Sequence, residues 1–269
     1  RKWRKLYKKF SDHIGKIPLV LISPDDRNLI IEGSETRRKF IDGIISQTDK
    51  EYLNNLIDYN KTLKQRNALL KMFYDNSESI RKTIDIYDRQ LSSDAQKIYD
   101  KRREFLNEFI PIFKSRYKEL SNDKENVEIK HSSDISPDQK LYKLLKNSLE
   151  KDLRFQYTTK GIHKDDLNLS LDNFPIKKYG SQGQQKTFLI AMKLAQFDYL
   201  SKLDSKPILL LDDIFDKLDD TRVKQIINLV NQEKFNQIFI SDTNKTRSEN
   251  IIKKVNKSYK IFEIWKKLV

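Results

Sequence analysis

Ile208-Leu209-Leu210-Leu211-Asp212-Asp213 decides the fold of this 269-residue chain. The apolar run has the length of a strand buried on both faces, as in parallel sheets covered by helices. Acids at the carboxyl end of such a strand lie where open α/β sheets take their ligands. One helix earlier stands Ser181-Gln182-Gly183-Gln184-Gln185, which opens an amphipathic stretch over residues 184–203. Free amides and the positive end of a helix dipole favour an anion. Together the two segments predict an α/β protein that holds a phosphate through a magnesium ion.

Working outward, a helix over residues 221–231 and a strand over 237–241 follow the acids. Ahead of the serine turn, Leu167, Leu169 and Leu171 alternate with Asp166, Asn168 and Ser170, the period of a half-buried strand. This strand–helix alternation implies right-handed crossovers and a parallel sheet. A last helix over 248–257 and a strand over 259–265 close the fold. Near the N-terminus, Ile17-Pro18-Leu19-Val20-Leu21-Ile22-Ser23 is another apolar strand, stopped by Pro24-Asp25-Asp26.

Between these parts, residues 47–153 are helical in pattern. Leu53, Leu56, Ile57, Leu63, Leu70 and Phe73 share one face of a first helix, with Lys64, Arg66 and Lys71 mostly off it. A second helix, capped by Ser77 or Ser79, repeats apolar residues at Ile80, Ile84, Tyr87, Leu91, Ile98, Phe105 and Phe109. Unbroken over 78–117 it extends about 60 Å, and Pro111 is expected to kink or stop it. The pair predicts an antiparallel helical arm. Residues 121–139 read as a loop or short edge hairpin and 140–149 as a helix. The expected organisation is 1–45 as the remainder of an N-terminal lobe, 46–152 as the inserted arm, and 153–269 as a C-terminal lobe.

Zero cysteines exclude disulfides, thiolate nucleophiles and thiolate zinc sites, and three scattered histidines (His13, His131, His163) argue against a histidine-rich metal site. No stretch approaches the roughly 20 apolar residues that cross a bilayer, so a cytoplasmic protein with no membrane partner is expected. The formal charge of +14 suits a polyanion such as nucleic acid. A lysine-, asparagine- and isoleucine-rich composition of genomic origin accounts for it equally well.

Asp212 is the expected magnesium ligand, directly or through water, and Asp213 the residue that orients or deprotonates an attacking water. An aspartate one methylene shorter than the glutamate common at this place predicts slow hydrolysis. The plainer reading is that the two acids cap a strand. The Ser181–Gln185 turn resembles the signature loop of ABC ATPases, which meets the γ-phosphate of a nucleotide held by the opposing subunit; an ordinary N-capped turn is the alternative. Asp216-Lys217-Leu218-Asp219 resembles the D-loop of that superfamily, with Asp219 alternatively an N-cap. Asp242 and Thr243 stand where these ATPases place a γ-phosphate switch, and His163 reads as a structural turn histidine. Nowhere does Gly-x-x-x-x-Gly-Lys followed by Ser or Thr occur, so the nucleotide site within these residues is incomplete. A phosphate-loop lobe ahead of Arg1 is the expected complement.

Several motifs in order resemble the RecF family of SMC-like ABC ATPases, nearly end to end. They are Ser23-Pro24-Asp25-Asp26, Arg37-Arg38-Lys39-Phe40-Ile41-Asp42, Leu63-Lys64-Gln65-Arg66-Asn67-Ala68-Leu69-Leu70, Tyr157-Thr158-Thr159, Gly161 with His163-Lys164-Asp165-Asp166-Leu167, Gly180 through Gln185, and Leu209 through Asp213 with Leu218-Asp219-Asp220. The resemblance implies a partial SMC-like ABC head, lacking its Walker A lobe, with an inserted arm. It implies ATP and Mg2+ as cofactors and an ATP-dependent homodimer whose full-length form is a slow ATPase. Its implied partners are double-stranded DNA, single-strand/double-strand junctions and RecO/RecR-like mediators that load recombinase at gaps during repair, at the nucleoid and within the SOS response. Without the Walker A lobe these residues alone are expected to be inactive.

Candidate DNA contacts are the basic run over residues 1–9, Arg37, Arg38, Lys39, Lys64, Arg66, Lys101, Arg102 and Arg103. Charge runs of this kind also occur as plain solvated faces. Two competing readings remain: a non-catalytic DNA- or protein-binding module, and another SMC-related head, although those insert longer coiled coils.

Overall fold

The computed structural model describes residues 9–72, 78–203, 206–213, 235, 237–243 and 258–262, with residues 223, 225, 226, 228, 249 and 253. The expected D-loop at Asp216 and Asp219, the basic residues 1–8, and most of the helices expected over 221–231 and 248–257 lie outside them.

Strand β1 (Leu19–Ile22) ends at Ser23, whose N–H donates to Asp26 Oδ2 at 2.8 Å as a 3-10 turn begins at Pro24. Two helices follow, α1 (Asn28–Ile31) and α2 (Ser34–Thr48). Asp49 then caps α3 (Lys50–Lys71), its Oδ1 accepting from the Tyr52 amide at 2.8 Å.

Helix α4 (Glu78–Ser121) has 44 residues, about 66 Å at 1.5 Å per residue. Of the two outcomes expected at Pro111, a kink or a stop, the stop does not occur: the helix continues to Ser121. Pro111 and Asn107, whose carbonyl loses its helical donor, both lie on the exposed face, where water can replace the lost bond. Phe109, Phe113, Tyr117 and Leu120 keep the opposite face buried. Arg66, late in α3, meets Asp88, early in α4, whereas Tyr52, early in α3, meets Arg102, further along α4. The two helices are therefore antiparallel.

The buried stripe of α3 differs from the one expected. It runs through Tyr52, Tyr59, Arg66 and Leu70, with Leu56 and Leu63 half-buried between them, while Ile57 is 47% exposed. Alternating steps of four and three residues place Arg66 in line with the apolar positions. Its charge is answered from neighbouring helices.

The segment expected to be a loop or edge hairpin contains β2 (Val127–Ser132). After α5 (Leu141–Phe155), β2 pairs antiparallel with β3 (Asp166–Leu171), Val127 opposite Leu171, and β3 pairs with β4 (Phe174–Pro175). Thus β3 alternates as read, burying Leu167, Leu169 and Leu171, but belongs to a separate antiparallel sheet. Val127 and Ile129 supply the facing apolar residues.

Helix α6 (Ile176–Tyr179) leads into α7 (Gln182–Leu200). Strands β5 (Ile208–Asp212) and β6 (Ile238–Ser241) then complete a parallel sheet of order β1-β5-β6. Leu19 stands opposite Ile208, and Asp212 opposite Ser241. Residues 258–262 have no regular structure, correcting the strand expected there.

Helix α7 packs between β1 and α4, which explains why Phe188, Leu189, Ile190, Met192, Leu194 and Phe197 are all buried around it. Phe188 meets Phe113 of α4 with ring centroids 4.7 Å apart. Truncating such a ring to alanine typically costs about 3–5 kcal/mol. One continuous core joins the parallel sheet, α7 and helix α4.

Candidate nucleotide-binding site

Ser181 is the N-cap of α7. Its Oγ accepts from the Gln184 amide at 3.2 Å, and Gln184 Oε1 accepts from the Ser181 amide at 2.8 Å, a reciprocal capping box. Gln184 Nε2 donates to Glu125 Oε1 at 3.1 Å. Gln185 is buried and its Nε2 donates to the carbonyls of Gly180 at 3.0 Å and Ile176 at 3.3 Å. Side chains 184 and 185 thus brace the turn from within, leaving Ser181 and Gln182 exposed and Gly183 half-buried.

Gly180 is fixed by close packing. A Cβ there would come within 2.7 Å of the Ile176 side chain and 2.8 Å of its carbonyl oxygen. The short helix α6 therefore sets the direction from which the chain enters α7.

At the end of β5, Asp212 is exposed, and its Oδ1 accepts the hydroxyl of Ser241 on β6. Asp213 follows with φ +46°, its amide donating to the Ser241 carbonyl at 3.1 Å. This left-handed residue, uncommon outside glycine and asparagine, breaks the strand and turns the second acid away from the first. Asp213 lines a cleft of about 180 Å³ together with Ser23, Arg27, Gln182, Gln185 and Lys186. The ends of β1 and β5 and the start of α7 thus converge on one crevice, reached by Asp213 and not by Asp212.

The other expected site residues divide clearly. Asp242 and Thr243 follow β6, but Ser241 is the residue whose hydrogen bond reaches Asp212. Its place opposite Asp212 needed only the parallel register of two strands.

Among the expected DNA contacts, three arginines are corrected by burial. Arg37 grips Asp166 through Nε at 2.7 Å and Nη2 at 3.0 Å, while Nη1 donates to the carbonyls of Leu29 and Glu32. Arg66, fully enclosed, donates from Nε to Asp88 at 2.6 Å and from Nη1 to Asp152 at 2.7 Å and Thr158 at 2.9 Å. Arg102, also enclosed, donates to both oxygens of Asp42, to Asp165 and to the Ile162 carbonyl. Their guanidinium groups are committed to carboxylates inside the protein and cannot meet a phosphate.

Arg38 is half-buried on Ser34 and the Asp165 carbonyl, and burial together with nearby Arg102 lowers its pKa. Lys101 is shared between Asp49 and Glu104. Lys39, Lys64 and Arg103 are exposed, Lys39 paired with Glu35 and Arg103 resting over the Tyr99 ring.

His163 is structural, as read. Its Nε2 faces the Thr158 carbonyl at 3.0 Å, which can only accept, so Nε2 carries the proton and Nδ1 accepts from the Tyr59 hydroxyl at 2.7 Å. Burial pushes its pKa down to about 4.

Oxygen donors at the tip of a central parallel strand suit a hard divalent cation. Asp212 Oδ2 has no hydrogen bond among the described residues, and no cluster of three or more metal-ligating side chains occurs among them. A lone carboxylate fits magnesium, which keeps much of its water and takes further oxygens from a phosphate.

A β1-β5-β6 parallel sheet with an acid-tipped central strand and a capped serine-glycine turn on the adjoining helix defines an α/β protein of the kind that takes its ligand at the strand ends. The chain is 54% identical over 261 residues to the DNA replication and repair protein RecF of Flavobacterium johnsoniae, covering 97% of this chain and 72% of that protein. It is 49% identical over 262 residues to the protein of the same name from Bacteroides thetaiotaomicron, covering 97% and 70%. The chain belongs to the RecF family of DNA replication and repair proteins. Solved structures of the recombination mediator protein RecF in the RecFOR pathway superpose on it. The RecF-ATPrS structure has a TM-score of 0.78 and 30% identity over 89% of this chain and 66% of that one; the RecF-ATP structure has 0.76 and 31% over 86% and 64%. The chain thus spans just under two thirds of those solved chains. No protein-family model matches it.

Proposed function

We propose that this chain supplies the signature, acidic and arm parts of an ATP-switched clamp on double-stranded DNA that assists recombination mediators at gaps. One observation carries the reading. Ser181 and Gln182 are presented to solvent by a turn braced from inside, and Gln182 lines the same cleft as Asp213. A turn that only capped its helix would not need to set an exposed serine and glutamine beside an acid-lined crevice.

Asp212, whose Oδ1 accepts the Ser241 hydroxyl, would hold magnesium through Oδ2, and Mg-ATP would supply the phosphate charge that two subunits share. Asp213 orients the attacking water and takes its proton on a carboxylate oxygen. The shorter acid makes turnover slow, the behaviour of a switch. Gly183 amide and Ser181 hydroxyl would meet the terminal phosphate of the partner's nucleotide. The arm, residues 46–152, and the exposed cations Lys39, Lys64 and Arg103 face DNA or a mediator protein, and phosphate contacts of this type grip without reading sequence.

The test is nucleotide-dependent association of the gene's full-length product, measured by light scattering after size exclusion. Wild type is expected to dimerise with ATP and magnesium, Ser181→Arg to stay monomeric, and Asp212→Asn to stay monomeric with or without magnesium. If Ser181→Arg dimerises like wild type, the role of the turn is wrong. DNA affinity indifferent to ATP and to Asp212→Asn would favour a binding module without catalysis.

A further inference from the structure

Phe155 and Tyr157 stand 44% and 43% exposed at the C-terminal end of α5, ring centroids 5.8 Å apart and tilted 37°. Gln156 between them caps α5 in the left-handed region at φ +59°, so the helix stops abruptly there. The chain beyond the rings is pinned. The Thr158 amide and hydroxyl both donate to Asn67 Oδ1, at 2.8 and 2.7 Å, and the Thr159 amide and hydroxyl both donate to Asp152 Oδ1, at 2.9 and 2.6 Å. Arg66 closes the network by bonding Asp152 and Thr158 together. Two distant motifs, 63–70 and 157–159, thus meet in a buried junction with an exposed aromatic pair above it.

Cations surround that pair. Lys151 Nζ lies 6.0 Å and Arg154 Cζ 5.1 Å from the Phe155 ring centroid, and Lys164 Nζ lies 4.9 Å from that of Tyr157. All three are exposed, and none forms an ion pair among the described residues. Rings on a rigid base with cations poised over them, unpaired among the described residues, match a ligand that offers flat apolar faces and negative charge together. Stacking on aromatics beside a cationic backbone track is the chemistry of single-strand binding. An intact duplex keeps its base faces stacked inside and cannot use the rings.

We propose that Phe155 and Tyr157, with Lys151, Arg154 and Lys164, form a stacking platform for unpaired DNA bases on the flank of the helical arm. This rests on the DNA-binding reading above and adds to it a surface specific for the single-stranded side of a junction. The rings stack on bases while the cations follow the backbone.

The experiment compares a blunt duplex with the same duplex bearing an oligothymidine tail, by fluorescence anisotropy on the full-length protein. Wild type should prefer the tailed DNA by about tenfold or more, and Phe155→Leu with Tyr157→Leu, which keeps apolar bulk but removes the π faces, should bind both DNAs equally. Independently of any variant's folding, an iodouracil-substituted tail should crosslink to the wild-type peptide carrying Phe155 or Tyr157. Equal wild-type affinity for both DNAs, or crosslinks mapping elsewhere, overturns the platform while leaving duplex binding intact. A variant that keeps the tail preference but loses binding of another protein overturns it in favour of protein docking. If wild type binds neither DNA, the DNA-binding reading falls as well.

Discussion

Arg102 Nη1 lies 2.8 Å from Asp165 Oδ2, while its Nε and Nη2 hold both oxygens of Asp42 at 3.0 and 2.9 Å. One side chain of α4 thus ties this helix to α2 and to the segment that enters β3. Asp165 also meets His131 Nε2 at 3.2 Å, and Tyr52 hydroxyl donates to Asp42 at 2.5 Å. Paired in this way the charges are tolerated in the core, although Asp165 Oδ1 has no hydrogen bond among the described residues; left unpaired, they are not.

Replacing Arg102 by leucine leaves Asp42 and Asp165 without their counter-charge and should destabilise the fold by about 3–5 kcal/mol. Urea denaturation of variant and wild type measures it. A loss below about 1 kcal/mol would show that the network is solvated and contributes little.

The His163 pKa, lowered to about 4 chiefly by burial, sets a pH dependence. The unfolded histidine titrates near 6.5, so between those values the unfolded state binds more protons and stability rises with pH. Its contribution is complete above about pH 6.5 and is lost progressively on acidification toward pH 4, amounting to about 3 kcal/mol over the window. Stability curves of wild type and His163→Asn should diverge above pH 4 and run parallel below it; identical slopes through the window refute the assignment.

Gly161 has φ +133°, and a Cβ there would sit 2.5 Å from the Tyr59 hydroxyl oxygen. Gly161→Ala should therefore cost about 1–3 kcal/mol in backbone strain, and more from the clash. Pairing it with Tyr59→Phe removes the oxygen but not the strain, so thermal unfolding should show only partial recovery. A complete rescue would place the whole cost in the clash.

Neutralising the exposed Lys64 and Arg103 to glutamine should weaken duplex binding at low salt and reduce the slope of log affinity against log salt by about 0.9 for each phosphate that the protein no longer neutralises. Titrations at several salt concentrations on the full-length protein give that slope. An unchanged slope removes these residues from the DNA-facing surface.

The legible parts of the molecule were those carried by local pattern. The run ending in Asp212, the alternating leucines of β3 and the capped turn at Ser181 each state their own structure, because strand burial, pleat period and helix capping act over a few residues. The partners of those elements were not legible. β2 is polar and charged at every second position, and its pairing with β3 depends on residues that stand 34 positions and more apart along the chain. Arg66 and Arg102 read as surface cations because periodicity marks apolar positions, whereas these two occupy core positions through carboxylates contributed by other elements.

By itself the sequence determined that an acid-tipped buried strand and a serine-glycine helix start exist, and which family they mark, since both follow from short-range rules and ordered motifs. Only the tertiary structure decided that Asp213 and Gln182 share a crevice, that Ser241 steadies Asp212, and that three of the arginines face inward. Those relations join residues far apart along the chain, and their energy comes from desolvation and charge pairing that arise only when helices and sheets have packed.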